Sequence, residues 1–314
     1  MYARRCFSQN FLCDAEVAER IIAAAALRRE EEAFEIGPGH GALTWRMLPL
    51  CRALHVVEID RELLAELEQR RTEGLIIHAG DALKMDWAEF LTPPCTMVAN
   101  LPYNISSPIF FRILEQRKLF RRLVLMFQKE FGERLCALPG SRDYGAPSVL
   151  CRQYFDAQIV LEAPPRAFRP APKVTSVVVA LTPLEQPRVA VEDERRFAAV
   201  VRGAFTQRRK TLLNSLRGAG FAEEGLVQKL EEAGINRIND RIQPGQVIKD
   251  TKGRLYIPLE LTTLQFFNCM AVDVAAARLG LGVVLSMMGV IPRVQHHLVG
   301  IQQAPRAEIG RAHV

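Results

Sequence analysis

Four short apolar segments in the first third of the chain each end in glycine or in a polar side chain. The segments start at Ala33, Leu54, Leu75 and Thr96, and they run into a glycine-rich turn, Glu58, Asp81 and Asn100, respectively. Short apolar runs that alternate with helical patterns predict a mostly parallel sheet covered on both faces, and the late segment Val174–Leu181 is expected to close it in an antiparallel hairpin. Because ligands bind at the carboxyl ends of parallel strands, the glycine turn and the three polar residues are expected to line one site.

The first segment leads into the glycine turn Gly37-Pro38-Gly39-His40-Gly41, which a helical pattern follows. Glycine lets the backbone adopt positive φ or approach a ligand closely. The spacing differs from the GxGxxG of dinucleotide-binding folds, and the next helical turn lacks the lysine of a triphosphate-binding loop. The turn therefore predicts contact with a ligand and excludes a P-loop.

Two acids stand at the ends of the next two segments. Glu58 lies about twenty residues beyond the glycines, where an acid commonly accepts hydrogen bonds from ribose hydroxyls. Asp81 is able to accept from an adenine amino group. Either acid alone is more often a solvated loop residue, but both acids together with the glycine turn and Asn100 favour a shared ligand site.

The fourth segment ends in Asn100-Leu101-Pro102-Tyr103. Pro102 removes a backbone donor and biases Leu101 toward extended geometry, so carbonyls point outward beside a primary amide and a phenol ring. Such a loop can accept both hydrogens of an NH2 group and cover a flat ring. Acceptors on those hydrogens localise the lone pair on nitrogen, so the loop is suited to make an aromatic amine nucleophilic. A proline turn with a buried tyrosine is the alternative.

Two further segments are candidates for closing the site. Gln9 and Asn10, before the expected helix N-cap Asp14, are interpreted as part of a lid, with a plain helix entry as the alternative. Phe168 begins a proline-rich loop. Beside a site for a flat base, its ring is expected to be a second stacking face opposite Tyr103, although a lone phenylalanine is more often a core residue.

A domain boundary is expected near Pro183–Pro187, and the segment Arg195–Arg217 beyond it is helical by its apolar spacing. This segment holds seven cations and no acid: Arg195, Arg196, Arg202, Arg208, Arg209, Lys210 and Arg217. Such a concentration of positive charge predicts contact with nucleic-acid phosphates. The net charge of the whole chain, +6, favours a polyanionic partner only weakly by itself.

The length of the chain and the spacing of its cysteines restrict the class of protein. The 314 residues suffice for two domains. The seven cysteines are dispersed without a CxxC pair, which indicates neither a disulfide framework nor a zinc site and favours a reducing cytosol. The first residues carry Arg4 and Arg5 and lack the apolar core of a signal peptide. A cytoplasmic location is therefore expected.

Eight segments together resemble the ribosomal RNA adenine N6-dimethyltransferase family, and most closely its small-subunit branch. They read SQNFL at 8–12, EIGPGHG at 35–41, VEID at 57–60, GDAL at 80–83, NLPYNISSPI at 100–109, QKEF at 128–131, FRPAPKVTS at 168–176 and AFTQRRKTLLNSL at 204–216. The resemblance implies an α/β fold, a Rossmann-like class I S-adenosylmethionine-dependent methyltransferase sheet with a smaller helical C-terminal domain. The expected limits are 1–182 for the catalytic domain, 183–262 for the RNA-docking domain and 263–314 for a tail.

The resemblance also implies roles for individual residues. The cofactor S-adenosylmethionine is expected to contact Asn10, Leu12, Gly37, Gly39, Glu58, Asp81 and Asn100. Asn100 and the Leu101 carbonyl, in the loop shaped by Pro102, would receive the target amine, and Tyr103 and Phe168 would sandwich the extruded adenine. Arg208, Arg209, Lys210 and Arg217 would bind the partner, 16S rRNA in the small ribosomal subunit or its precursor. A monomer without a metal or a membrane contact is expected.

The chain departs from the family pattern after Ile235. Residues 236–264 are interrupted by glycine and proline and are strand-like at Arg254–Ile257. In the apolar stretch Phe266–Ile291, Asp273 and Arg278 leave only about a dozen uninterrupted apolar residues, too few for the roughly twenty that span a bilayer. The role of this tail stays open. Two alternative functions also stay open: methylation of a large-subunit rRNA adenine of the macrolide-resistance type, and a non-catalytic RNA-binding assembly factor on the same fold.

Overall fold

The computed structural model describes residues 10–207, 212–221, 226–227, 248–249 and 255–256. The chain divides into two compact units, the first of which reaches Arg188, while the second starts at Val189. Gln9, the cations Arg208, Arg209 and Lys210, and the apolar stretch 266–291 lie outside the described residues. The domain limits expected from the sequence stay predictions.

The first unit alternates strands with helices. Its strands are β1 (Phe11–Leu12), β2 (Glu32–Ile36), β3 (Ala53–Glu58), β4 (Leu75–Ala79), β5 (Cys95–Asn100), β6 (Phe120–Gln128), β7 (Phe155–Ala163), β8 (Phe168–Arg169) and β9 (Ser176–Pro183). Its helices are α1 (Ala15–Ala25), α2 (Thr44–Met47), α3 (Arg61–Gln69), α4 (Ser106–Glu115), α5 (Lys129–Cys136) and α6 (Ala146–Tyr154).

Seven strands form one sheet in the order β4-β3-β2-β5-β6-β9-β7. From β4 to β6 in this order, each strand is parallel to the next. β9 runs antiparallel to both of its neighbours, β6 and β7. The predicted parallel sheet and its closing antiparallel hairpin are thus confirmed. From β2 the chain proceeds to β3 and β4 on one side and later to β5 and β6 on the other. This reversal opens a cleft at the carboxyl ends of β2 and β5, where ligands bind in such sheets.

The central strands are apolar because both of their faces are buried. β2 is buried along its whole length, and Asn100 is the one partly exposed residue of β5. α1 begins at the predicted N-cap, where Asp14 Oδ1 accepts a hydrogen bond from Val17 N at 3.1 Å. The same helix buries Ile21 and Ile22 in the hydrophobic core. The strand ends that carry the polar residues therefore project from a rigid, well-packed base.

A separate two-stranded antiparallel sheet joins β1 to β8, with Leu12 opposite Phe168. Cys13 N donates to Ala167 O at 2.8 Å, which extends the pairing toward α1. The segment before α1 is thereby tied to the loop that precedes β9.

The second unit contains α7 (Glu194–Ala204), α8 (Leu212–Gly218) and the antiparallel pair β10 (Ile248–Lys249) and β11 (Leu255–Tyr256). The prediction of one helix over 195–217 is wrong, because α7 ends at Ala204 and α8 begins at Leu212. A Cβ on Gly203 would lie 3.0 Å from Ala219 Cβ, so the missing side chain lets the end of α8 pack closely against α7. Both helices bury apolar residues, so the spacing of apolar residues along the sequence does not reveal where α7 ends and α8 begins.

The helices in the described ranges are short, and α1 and α7 contain 11 residues each. A helix that spans a bilayer needs about twenty residues. None of the described helices is long and apolar enough to cross a membrane.

Candidate active site

A cavity of about 400 Å³ opens at the carboxyl ends of β2, β3 and β5. Its walls include Asn10, Leu12, Gly37, Gly39, Glu58, Asp81, Asn100, Leu101, Pro102 and Tyr103. Strand pairing explains this convergence, because β2 is hydrogen-bonded to β3 on one side and to β5 on the other. Residues that follow these strands consequently emerge side by side. Of the other predicted site residues within the described ranges, Phe168 does not line this cavity, and Arg217 is exposed on α8 of the second unit.

The glycine turn has the backbone conformation for which glycine is required. The φ angles are +66° at Gly37, +57° at Gly39 and +83° at Gly41, all in the left-handed region. A Cβ on Gly41 would overlap the Trp45 ring, and one on Gly39 would lie 3.0 Å from the Phe11 ring. The turn therefore excludes side chains at these positions and leaves its backbone close to any ligand in the cavity.

Phe11 covers the glycine turn from the β1 side. Its ring lies 4.5 Å from the His40 ring, centroid to centroid, and both residues line the cavity. Asn10 O, one residue earlier, accepts a hydrogen bond from Asn100 Nδ2 at 3.1 Å. These contacts fix the segment before α1 on the cavity wall, and the role of Asn10 as part of a lid stays a prediction.

Glu58 ends β3 with its carboxylate held by the backbone. Oε1 accepts from Ile59 N at 2.8 Å and from Asp60 N at 2.9 Å, and Oε2 accepts from Gly39 N at 3.4 Å. The pKa of Glu58 is raised overall, mainly by burial, although these three backbone donors lower it. Each carboxylate oxygen can accept more than one hydrogen bond, so Glu58 retains capacity to accept from hydroxyl groups of a ligand.

Asp81 follows β4 and shapes the adjoining turn. Its Oδ1 accepts from Leu83 N at 3.0 Å, while Oδ2 lies 3.8 Å from Lys84 Nζ. The side chain is partly exposed on the cavity wall. It is thus available to accept hydrogen bonds from the amino group of a ligand.

The loop after β5 presents acceptors and a ring to the cavity. Because Asn100 Nδ2 donates to Asn10 O, the amide is oriented with Oδ1 as its remaining acceptor. Leu101 is buried, and Pro102 has φ −56° and ψ 131°, just before the short turn that starts at Tyr103. The Tyr103 hydroxyl and Ser176 Oγ form a hydrogen bond of 2.7 Å, and burial raises the pKa of the phenol. The ring is therefore held as a neutral, fixed platform.

The expectation of an exposed Phe168 ring requires correction. Phe168 is fully buried and belongs to the hydrophobic core, with Leu12 opposite it in the β1–β8 pair. The ring lies on the core side of the β1–β8 pair, whereas the next residue, Arg169, lies on the exposed side. In this structure the aromatic wall near Asn100 consists of Tyr103 without a facing Phe168.

Glu35 and Ile59 are among the cavity-wall residues that were not predicted as site residues. Glu35, the second-last residue of β2, is buried, and Thr44 Oγ1 donates to its Oε2 at 2.6 Å. Burial and the nearby Glu58 carboxylate raise the pKa of Glu35 to about 8. Ile59 is 49% exposed although it is large and apolar. The sequence signal for Glu35 is an acid inside an apolar strand, and the signal for Ile59 is a large apolar residue directly after Glu58.

Comparison with known proteins identifies relatives of this chain. The family described as "Ribosomal RNA adenine dimethylase" matches residues 2–244. "Ribosomal RNA small subunit methyltransferase A" of Syntrophotalea carbinolica is 57% identical over 231 residues, which cover 73% of this chain and 88% of the relative. The protein of the same name from Geobacter metallireducens is 44% identical over 237 residues, which cover 74% of this chain and 86% of the relative.

Solved structures agree with the sequence relatives. A dimethyladenosine transferase from Plasmodium falciparum superposes with a TM-score of 0.59 at 32% identity and covers 71% of this chain and 78% of its own. The 23S rRNA methyltransferase ErmE gives a TM-score of 0.55 at 24% identity, with 83% of this chain and 99% of its own covered, and shows the shared fold alone. The fold is that of class I S-adenosylmethionine-dependent methyltransferases, and the chain belongs to the ribosomal RNA adenine dimethylase family.

Proposed function

We propose that the protein dimethylates the N6 amines of adjacent adenosines in a hairpin of small-subunit (16S) rRNA during ribosome biogenesis, with S-adenosylmethionine as methyl donor. The observation that carries this proposal is that all four residues of the loop Asn100–Tyr103 line one cavity with the glycine turn, Glu58 and Asp81. The small-subunit relatives support the choice of RNA. The protein acts in the cytoplasm as a monomer, on the small subunit or its precursor.

The cavity fits the cofactor by the chemistry of its walls. Glu58 is suited to accept from the ribose hydroxyls and Asp81 from the adenine amino group, while the glycine turn lets backbone approach the methionine portion. Phe11 and Asn10 close this side of the cavity. When bound, S-adenosylmethionine supplies a methyl group on a positively charged sulfur.

The chain's own groups orient the acceptor. Asn100 Oδ1 and the Leu101 carbonyl take the two hydrogens of the adenine amine, which localises its lone pair on nitrogen. Tyr103 stacks on the base and fixes its plane. Positioning of this kind can contribute about 7–11 kcal/mol to the lowering of a barrier. The amine proton leaves to water after transfer, so the proposal requires no general base.

Mass-spectrometric mapping of methylated adenosines tests the proposal. Purified small-subunit particles and large-subunit rRNA are incubated separately with the protein and labelled cofactor. We expect two adjacent dimethyladenosines in 16S rRNA and none in the large-subunit rRNA. Asn100→Ala is expected to abolish transfer with only a modest loss of RNA affinity.

Each alternative function has its own outcome. Label confined to large-subunit rRNA would establish the macrolide-resistance type of activity. RNA binding by the unaltered protein without any methyl incorporation would establish an assembly factor. Unchanged incorporation by Asn100→Ala would remove the amine-binding role from this loop.

A further inference from the structure

Glu35 is a buried acid on the cavity wall that the proposed methyl transfer does not use. It is only 1% exposed, and the hydroxyl of Thr44, itself fully buried, donates to its Oε2 at 2.6 Å. Glu58, by comparison, has three backbone N–H donors on its carboxylate. An ionised carboxylate at Glu35 would therefore be poorly compensated by the protein.

Charged groups around Glu35 do not offset a negative charge there. The other titratable residues on the cavity wall are Cys13, His40, Glu58, Asp81 and Tyr103, and the wall as described contains no Lys or Arg. The neighbouring strand β3 contributes Glu58, whose charge disfavours ionisation of Glu35.

The cations nearest in sequence to the glycine turn are already engaged. Arg46 on α2 donates to Glu19 Oε1 at 2.8 Å and to Ala42 O at 2.7 Å. His40 Nδ1 lies 2.8 Å from Glu66 Oε2. Within the described residues, the cavity wall supplies no Lys or Arg to Glu35, so a compensating positive charge is expected to arrive with the ligand. Burial already holds the pKa of Glu35 at about 8, so the acid is mainly protonated at neutral pH in the free protein.

Building on the proposed cofactor, we propose that Glu35 is a proton-linked binding residue, neutral in the free protein, which releases its proton to solvent when cationic S-adenosylmethionine enters the cavity. Attraction between opposite charges is strong in a buried site, so the bound sulfonium favours the carboxylate. Methyl transfer leaves a neutral thioether. Glu35 then takes a proton back from solvent, and the product loses this attraction, which favours exchange of product for fresh cofactor.

Calorimetric titration of the full-length protein measures this proton directly. S-adenosylmethionine and S-adenosylhomocysteine are titrated separately at pH 7 and pH 9.5 in buffers of different ionisation enthalpy. For S-adenosylmethionine at pH 7, the buffer dependence of the heat is expected to show release of about one proton. The release is expected to vanish at pH 9.5, where Glu35 is already ionised, and to be much smaller for S-adenosylhomocysteine at either pH.

Glu35→Gln tests the residue itself. We expect this variant to show no proton release at pH 7 and to reduce the preference for S-adenosylmethionine over S-adenosylhomocysteine by about tenfold, since one pKa unit corresponds to a tenfold change in an equilibrium. Glu16→Gln, the same change at an exposed acid on α1, is expected to behave like the unaltered protein. Circular dichroism confirms that each variant is folded.

Thr44→Val is a second variant for the case that Glu35→Gln does not fold. Without the hydroxyl donor, the carboxylate is less stabilised, so proton release is expected to persist at pH 7 and to extend to higher pH. Binding of S-adenosylmethionine by the unaltered protein without buffer-dependent heat would overturn this inference alone. Absence of any binding would overturn the proposed cofactor and this inference together. Proton release that persists in Glu35→Gln would assign the proton to another group.

Discussion

Glu35 also makes the stability of the free protein depend on pH. Its pKa is raised from 4.5 to about 8, mainly by burial. Below pH 4.5 the folded and unfolded chains are both protonated at this residue, and the full stability is present. As pH rises toward 8, the unfolded chain releases the proton while the folded chain keeps it, so stability falls. Above that range the loss is complete.

Glu35→Gln is therefore expected to stabilise the free protein at pH 8. The gain is on the order of a few kcal/mol, because the glutamine has no proton to lose in the unfolded state. Urea unfolding of both proteins at pH 4.5 and pH 8 measures it. If the difference in unfolding free energy between Glu35→Gln and the unaltered protein is the same at pH 4.5 and pH 8, Glu35 titrates normally in the folded protein.

The ring and the hydroxyl of Tyr103 have separable roles. Tyr103→Phe removes only the hydrogen bond to Ser176 and is expected to retain most activity. Tyr103→Ala removes the platform and is expected to lower kcat/KM for RNA by about tenfold to a hundredfold, since stacking of a base contributes about 1–3 kcal/mol. Methyl-incorporation kinetics distinguish the two. An equal loss in both variants would assign the role to the hydroxyl.

At the scale of elements, the β2–α2 connection depends on glycine for both space and conformation. Gly41 has φ +83° and its missing Cβ makes room for the Trp45 ring, whereas Gly74 has φ +81° with no atom closer than 3.6 Å to a Cβ built there. The two positions share the backbone conformation and differ in crowding. An alanine at Gly74 therefore introduces only the unfavourable positive φ, whereas an alanine at Gly41 adds a clash with the Trp45 ring. Comparison of the two variants separates the two effects.

Gly41→Ala is expected to weaken binding of S-adenosylmethionine strongly and to destabilise the protein, since the turn must shift to admit the methyl group. Gly74→Ala is expected to lower stability by about 1 kcal/mol through the positive φ alone and to leave cofactor affinity unchanged. Calorimetry and urea unfolding measure both quantities. Equal cofactor affinities for the two variants would contradict a ligand-binding role for the glycine turn.

At the scale of the whole molecule, the described cavity belongs to the first unit, and the basic segment 195–217 belongs to the second. The sheet order places the glycine turn, both acids and Asn100 at one edge. Arg195, Arg196, Arg202 and Arg217 are exposed on α7 and α8. The cavity residues thus lie in the first unit, and phosphate contact by the basic segment of the second unit stays a prediction.

Arg208→Ala combined with Arg209→Ala is expected to weaken RNA binding and to make its salt dependence shallower. Loss of two phosphate contacts reduces the slope of log K against log salt by about 1.5. Arg28→Ala with Arg29→Ala, an adjacent exposed pair in the first unit, is the control. Fluorescence anisotropy at several salt concentrations measures the slopes, and equal slopes for the two double variants would exclude Arg208 and Arg209 as the phosphate contacts.

Local sequence determined most of the strands and the residues at their ends. The apolar runs of β3 and β5 are buried inside the sheet, and that of β4 is partly buried at its edge, so the segments before Glu58, Asp81 and Asn100 were recognisable without a structure. The glycine turn was predictable for the same reason, because positive φ is a local requirement. Since parallel strands share one edge for their carboxyl ends, the convergence of these residues on one site also followed.

Only the tertiary structure decided what depends on contacts between distant segments. Phe168 is buried because its ring packs in the hydrophobic core with Leu12 of the paired strand β1. The helix predicted over 195–217 is interrupted after Ala204, and Gly203 lets the end of α8 pack against α7. Neither contact leaves a local pattern in the sequence. The raised pKa of Glu35 likewise follows from burial beside Glu58, since the solvation of a carboxyl group is set by everything packed around it.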